Sequence, residues 1–250
     1  MKKLLLLTTL FIGGLEGICQ TKFASALKNT SRQAVVLIDR NNVLIQGYEG
    51  TEIKIEIDKP ITIPVQADGL RRLNIKGLED NSQLGLNISQ EDSLLVIREV
   101  CNCYNGTYKI LLPNKMNILI FENNIQHGQR WEVSDMSGNF EASTEFGHIY
   151  LLNVSGVSKA YSRHGSVNVS LNTTKGLALS SLYGKVVVEL PETIKADLKV
   201  KSTEWSDIFT DFTLPVYENK QNTMTASLNG GGIPIELKSD HGNIYLRKKK

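Results

Sequence analysis

One pattern occurs three times in the middle of the chain: Gly147-His-Ile-Tyr-Leu151, Gly165-Ser-Val-Asn-Val169 and Gly184-Lys-Val-Val-Val188. In each copy the residues two and four positions after the glycine are aliphatic, and the residue directly after it is polar. This alternation is typical of a β-strand with one buried face. Two more copies follow, Ser206-Asp-Ile-Phe-Thr210, in which serine replaces glycine, and Gly242-Asn-Ile-Tyr-Leu246.

The glycines around these segments recur at a regular spacing. They stand at positions 128, 138, 147, 156, 165, 176 and 184, which gives a half-period of nine or ten residues and a full period of about nineteen. Fixed periods of this size indicate repeat architectures. The pattern therefore predicts an all-β chain folded as a single β-solenoid with rungs of about nineteen residues. We expect glycine at the corners because sharp turns favour positive φ.

The rest of the chain is also strand-like. Short aliphatic runs between residues 23 and 127, separated by turn signals, predict strands that continue the same body. The glycine count breaks down over residues 211–230, which predicts a longer loop or an inserted hairpin. The basic residues Arg247–Lys250 are interpreted as a solubilising end to an edge strand.

The N-terminus has the features of a secretory signal peptide. A basic start, Met1–Lys3, precedes the apolar run Leu4–Ile12, and small residues lead to Cys19. The run is shorter than the ~20 residues of a membrane helix. We expect residues 1–19 to be removed, although acylation of Cys19 as a lipoprotein is an alternative. Residues 20–250 are predicted to form one exported domain in the periplasm or at the cell surface, with no transmembrane segment.

Composition narrows the function classes. The chain has 250 residues with 28 Lys+Arg against 26 Asp+Glu, so its near-neutral charge gives no reason to expect a nucleic-acid partner. The 41% hydrophobic content suits a globular core. After the signal peptide only Cys101 and Cys103 remain, too few for a closed zinc site. They predict either a local disulfide or two free thiols.

Six further segments stand in a characteristic order with the repeated Ser/Thr-x-x-Gly-x-Ile/Val-x-Leu/Val phrase: Tyr108–Pro113, Asn117–Ile120, Val186–Pro191, Lys195–Val200, Asp207–Phe212 and Gly242–Arg247. Together they resemble the secreted bacterial putative-adhesin family of Bacteroides-like bacteria. The resemblance covers roughly residues 40–247 and implies a β-solenoid envelope protein. It implies no catalytic residues. Ser206 departs from the usual corner glycine, which predicts a modified turn.

One column of outward residues is the candidate interaction face. Three positions after each corner stand Tyr150, Asn168, Val187, Phe209 and Tyr245. A strand face exposed to water is normally polar, and four of these five side chains are aromatic or apolar. The column suits stacking on sugar rings or docking of an envelope or surface protein. The other interpretation is that the N-terminal strands, the 211–230 segment or a second subunit cover it.

The histidines could form a second site. His127, His148, His164 and His241 all adjoin a glycine, so they are either exposed turn residues, the interpretation we favour, or a metal-binding column.

An enzyme site has weaker support. A polysaccharide lyase would need a cluster such as Asp207 and Asp211 with Arg163 or Lys185, and nothing in the sequence concentrates these groups. Because no catalytic motif is present, we expect a non-enzymatic adhesin-like module without cofactors. A carbohydrate-binding protein or lyase is the first alternative, and a periplasmic partner of an envelope-stress system is the second.

Overall fold

The structure is a computed structural model that describes residues 20–28, 30–123, 128–220 and 222–250. For residues 216–220 it describes the backbone alone. The predicted signal peptide, residues 1–19, lies outside the described residues. Within the described part of the chain, no helix has the length and apolar character needed to cross a membrane.

The described chain is all-β, as predicted, with one short 3-10 turn at Val65–Ala67. The first strands are β1 (Lys22–Ala26), β2 (Gln33–Leu37), β3 (Asn42–Tyr48), β4 (Glu52–Ile57), β5 (Leu86–Glu91), β6 (Leu94–Glu99), β7 (Thr107–Pro113), β8 (Asn117–Glu122), β9 (Arg130–Ser134) and β10 (Phe140–Thr144). The others are β11 (His148–Leu152), β12 (Val157–Ser162), β13 (Val167–Ser170), β14 (Gly176–Ser181), β15 (Val186–Leu190), β16 (Ala196–Ser202), β17 (Ile208–Thr210), β18 (Val216–Lys220), β19 (Thr223–Leu228), β20 (Ile233–Ser239) and β21 (Ile244–Lys248).

The strands form two large sheets. Sheet A has the order β1-β4-β7-β3-β9-β11-β13-β15-β21-β17, and sheet B has the order β18-β19-β16-β20-β14-β12-β10-β8-β2-β6-β5. From β8 to β15 the chain alternates between the sheets, and each strand from β8 to β13 pairs in parallel with the strand two places further along. We call two consecutive strands, one in each sheet, a rung.

Both ends of the molecule depart from a simple ladder. β1 and β4 pair antiparallel with their neighbours in sheet A, and so do β5 and the hairpin β18–β19 in sheet B, so both sheets are mixed. The β18–β19 hairpin is the insertion predicted within residues 211–230. The N-terminal strands β2 and β3 join the same two sheets as the central strands, as expected.

The rung order differs from the chain order at the C-terminal end. β20 and β21 pair between β14–β15 and β16–β17, although they follow β16–β19 in the sequence. β21 has a strand neighbour on each side only over Ile244–Leu246, whereas Arg247 and Lys248 pair with β15 alone, so these basic residues do lie at an open edge and their solubilising role stays a prediction. The edge strand of sheet A at this end is the three-residue β17.

The sheet A core follows the predicted inward columns on four of five strands; on the edge strand β17, Ile208 is only half-buried and Thr210 is exposed. Paired residues on four adjacent strands line up as Ile149–Val167–Val186–Ile244 and Leu151–Val169–Val188–Leu246, and each is at most 3% exposed. Burial of one such aliphatic side chain is worth about 1.5–3 kcal/mol. On sheet B the inward positions hold small residues as well, including Ser158, Ala160 and Ser162 of β12. This mixture hides the alternation of that strand in the sequence.

Serine hydroxyls connect consecutive rungs at one corner. The corner glycines are Gly147, Gly165, Gly184 and Gly242. Ser162, Ser181 and Ser239 each stand three residues before one of them and accept its N–H at 2.9, 2.8 and 3.1 Å. The same hydroxyls donate to the carbonyl of the corner glycine one rung earlier, at 2.9, 2.8 and 3.2 Å. These bonds satisfy backbone groups that would otherwise be buried unpaired.

Glycine is needed at these corners because a side chain would not fit there, and not because the backbone adopts a positive φ. A Cβ on Gly165, Gly184 or Gly242 would lie 2.1–2.2 Å from the carbonyl oxygen of the corner glycine one rung earlier. None of the corner glycines has a positive φ, so our expectation about their conformation was wrong. At Ser206 the residue three positions earlier is Thr203 instead of a serine. Its hydroxyl donates to the Asp240 carbonyl, in line with the modified turn predicted there.

Candidate functional site

The predicted interaction residues form one column on the outer face of sheet A. Cα pairing places them in the spatial order Tyr150, Asn168, Val187, Tyr245 and Phe209. The last two are exchanged relative to the chain order because β21 lies inside β17. We call these five side chains the outward column. Its role in binding stays a prediction.

The described strands leave the outward column uncovered. The N-terminal strands extend sheet A in its own plane, and the β18–β19 hairpin belongs to sheet B. Phe209 is 48% exposed, and the other four side chains are partly exposed. Two of the three covering elements considered for this face are therefore placed elsewhere, and the third, a second subunit, stays open.

The aromatic rings of the outward column already have partners. The Phe209 and Tyr245 rings stack with a centroid distance of 5.2 Å and an interplanar angle of 13°. The Arg130 guanidinium lies 3.8 Å from the centroid of the Tyr150 ring, a cation–π contact. A sugar that stacks on an aromatic ring needs a free ring face. Each of these contacts covers one face of a ring, which reduces the ring surface left for a stacked sugar.

A second aromatic row lies at the corner beside the column. Phe146, His164, Tyr183 and His241 each stand directly before a corner glycine. Their rings stack in sequence with centroid distances of 4.4, 4.8 and 5.0 Å and interplanar angles of 7–16°. We call these four residues the corner stack. Tyr183 is 49% exposed, so ring edges carrying nitrogen and hydroxyl groups face water along the corner.

The histidines therefore have different environments. His164 and His241 are exposed, as predicted for turn residues, and they belong to the corner stack. His148 is half-buried, and its Nδ1 accepts the backbone N–H of Ser166 at 3.0 Å. Burial, assisted by the positive charge of Lys185, lowers the pKa of His148 below its usual value. His127 lies outside the described residues.

The structure does not assemble the residues that a lyase would need. Asp211 accepts the backbone N–H of Lys248 at 2.7 Å, and Arg163 pairs with Glu145 at 3.5 Å. Asp207 lies at the β17 corner, several rungs from Arg163. Among the described residues, no group of three or more His, Cys, Asp or Glu side chains could hold a metal ion.

Other titratable groups with shifted pKa values lie at the N-terminal end. Burial raises the pKa of Tyr104 to about 12, with a further rise from its hydrogen bond to Asp58, and burial also raises the pKa values of Tyr108 and Glu99. Both tyrosines are almost fully buried, and the Tyr108 hydroxyl donates to the Leu84 carbonyl at 2.8 Å. Glu99 accepts hydrogen bonds from the Asp39 backbone N–H and the Asn41 side chain, so all three groups are engaged within the protein. Nearby, Cys101 and Cys103 form a disulfide, one of the two alternatives predicted.

The corner stack was missed in the sequence, although a signal for it exists. The residue before each corner glycine is Phe, His, Tyr or His, and Trp205 takes the same position before Ser206 with 69% exposure. Aligning the chain on the glycines puts these rings in one column. Considering the histidines separately from the other aromatic residues concealed the pattern.

No protein-family model and no curated protein matches the chain. Three solved structures are similar to it. They are a putative cell adhesion protein from Clostridium sporogenes (TM-score 0.40, 13% identity, 91% of this chain and 99% of that chain covered), a putative adhesin from Bacteroides fragilis (0.30, 10%, 91% and 96%) and a putative adhesin from Parabacteroides merdae (0.26, 9%, 92% and 96%).

All three TM-scores lie below 0.5, so the likeness by itself carries no argument about activity. The names of all three structural neighbours describe putative adhesion proteins.

Proposed function

We propose that this protein is an exported, non-enzymatic β-solenoid that acts as an adhesin-like module and binds another surface protein through sheet A. The binding face comprises the outward column (Tyr150, Asn168, Val187, Phe209 and Tyr245) and the adjoining corner stack. The observation that carries the proposal is that large aromatic side chains lie in register on a sheet face that no described strand covers.

The rigidity of this face supports a binding role. Its side chains project from strands that are hydrogen-bonded on both sides, apart from the edge strand β17. The serine hydroxyls at the corner link each rung to the next. A preorganised surface loses little conformational entropy on association, so modest contacts spread over several rungs suffice for binding.

A protein partner suits this face better than a glycan. Phe209 and Tyr245 cover one face of each other's ring, and the two middle rings of the corner stack, His164 and Tyr183, have a ring on each side. Much of the accessible surface therefore consists of ring edges, hydroxyl and imidazole groups and the aliphatic Val187. Protein interfaces are rich in aromatic side chains of this kind, with an apolar body and a polar end.

The non-enzymatic part of the proposal rests on where the titratable groups lie. The groups with raised pKa values, Glu99, Tyr104 and Tyr108, are buried at the N-terminal end, far from the exposed face. Arg163 and Asp211 are engaged in structural contacts. Neither arrangement is that of an acid–base pair facing a substrate.

The test combines location and adhesion. The full chain, expressed with its own N-terminus, is first tested by protease treatment of intact cells, with a periplasmic marker as a control for lysis. Microspheres coated with the purified protein are then counted on bacterial cells and on epithelial cell layers. We expect adhesion to fall at least severalfold for Tyr150→Ser combined with Phe209→Ser.

Ile63→Ser combined with Leu73→Ser is the matched control, because it removes two apolar side chains, each 52% exposed, from the segment between β4 and β5, outside both sheet faces. Adhesion of the sheet A double variant at the wild-type level would refute the proposed face. Protection of the protein in intact cells would refute a surface role and move the module to the periplasm.

A further inference from the structure

We propose that the outer face of sheet B carries a separate glycan-binding slot, formed by the rings of Phe121 and Tyr161 on either side of Ser143. Its ligand is the pyranose ring of a neutral hexose or N-acetylhexosamine in a surface glycan. This site goes beyond the protein-binding face proposed for sheet A and does not depend on it.

Strand register creates the slot. Phe121 on β8 pairs with Ser143 on β10, and Ser143 pairs with Tyr161 on β12, so the three side chains stand in one column. Phe121 is 45% exposed and Tyr161 is 39% exposed, which places this column on the solvent side. The two ring-bearing positions are separated by two strand spacings, roughly 9.6 Å, with a small side chain between them.

That separation leaves room for one ligand ring. A group held between two aromatic rings needs a van der Waals contact of about 4 Å on each side. The puckering of a pyranose ring adds to its thickness, so a spacing of roughly 9–10 Å accommodates it. In the corner stack the rings occupy adjacent strands with centroids at most 5.0 Å apart, and nothing fits between them.

The neighbouring column supplies polar partners for sugar hydroxyls. Glu141 precedes Ser143 by two residues on β10 and lies opposite Lys159 of β12 in the strand register. Both side chains are exposed. Within the part of the chain that the structure describes, neither forms an ion pair. A carboxylate and an ammonium group together offer hydrogen-bond acceptors and donors without a net charge, which favours a neutral glycan over a polyanion.

A groove in the surface adjoins the slot at Phe121 and follows the column of Glu141 and Lys159. It has a volume of about 430 Å³, and its lining also includes the apolar side chains of Leu119 and Val157, whereas Ser143 and Tyr161 lie outside it. This volume lies within the range of small-ligand sites. Apolar walls with a few polar groups match the two surfaces of a sugar, its C–H faces and its hydroxyl rim.

The experiment is a binding screen of the purified protein on a panel of neutral hexose and N-acetylhexosamine oligosaccharides, followed by titration of the best binder. We expect Phe121→Ala and Tyr161→Ala each to weaken binding by about tenfold. Ser143→Phe keeps both rings and fills the gap between them with a third, so it should abolish binding. Phe209→Ala, on sheet A, should leave glycan affinity unchanged.

Each variant must keep the wild-type unfolding midpoint, which is expected because all the substituted side chains are at least partly exposed. The proposal is overturned if no oligosaccharide binds, if Ser143→Phe binds as well as wild type, or if Phe209→Ala alone removes binding. Failure of the glycan screen with intact microsphere adhesion would overturn this site and leave the sheet A face standing.

Discussion

Replacement of Gly184 by alanine tests how the rungs pack. The new Cβ would lie 2.1 Å from the carbonyl oxygen of Gly165, a backbone atom that cannot rotate away. Non-bonded heavy atoms sit best about 3.5–4.0 Å apart, so the corner must open by more than ~1 Å. Overpacking of this kind costs about 1–3 kcal/mol. Opening also strains the hydrogen bond from the Gly184 N–H to Ser181, worth about 1 kcal/mol.

We therefore expect Gly184→Ala to lower the free energy of unfolding by about 2–4 kcal/mol. Urea denaturation followed by circular dichroism measures this as a midpoint shift of about 1–2 M, for an m-value near 2 kcal/mol/M. Gly176→Ala is the matched control, because its Cβ would meet Pro234 at 3.5 Å, an ordinary contact. That variant should match wild type or be stabler by up to ~1 kcal/mol, since alanine restricts the unfolded chain.

Equal losses in the two variants would refute this reasoning, because they would show that glycine is needed at both sites for a reason other than the approach of the next rung. A midpoint for Gly184→Ala within experimental error of wild type would refute it as well.

Three further outcomes follow from the same contacts. Val167→Asp should unfold the protein by placing an unpaired charge in the core, whereas Lys185→Ser, on the solvent side, should change stability by at most ~0.5 kcal/mol. Equal urea midpoints would show that the assignment of inward and outward residues on sheet A is wrong. Ser181→Ala removes the partner of the Gly184 N–H and of the Gly165 carbonyl and should cost about 1–3 kcal/mol in the same assay. The pKa of His148 is lower in the folded chain than in the unfolded chain, so the unfolded chain binds the proton more readily as pH falls below about 6.5, and stability declines. His148→Gln should therefore lose less stability than wild type between pH 7.5 and 5.5. An identical loss would assign the effect to other groups.

The sheet A register was predictable because the segments after the corner residues have equal length. Counting from each glycine placed Ile149, Val167 and Val186 in one column, and the strand pairing confirms it. The sheet B strands were harder to interpret. β12 has Ser158 and Ser162 facing inward, so its polar and apolar residues do not alternate in the way that marks a half-buried strand.

The rung order could not be predicted from local sequence. The segment after Gly242 has the same pattern as those after Gly165 and Gly184, and each could in principle pair with any of the others. Which strands become neighbours depends on which edges are open in three dimensions. The reason for glycine at the corners could not be predicted from local sequence either. A Cβ there would clash with a carbonyl oxygen of the neighbouring rung, which is distant in the sequence.

The placement of β20 and β21 between earlier rungs has a consequence for the order of folding. β14–β15 and β16–β17 are adjacent rungs in the chain, yet each needs β20–β21 as its neighbour. Until residues 233–248 are synthesised, each of these two rungs therefore lacks the neighbour that it has in the folded protein. A chain shortened before residue 233 would expose the unpaired backbone groups of these strand edges, where another chain could add a strand.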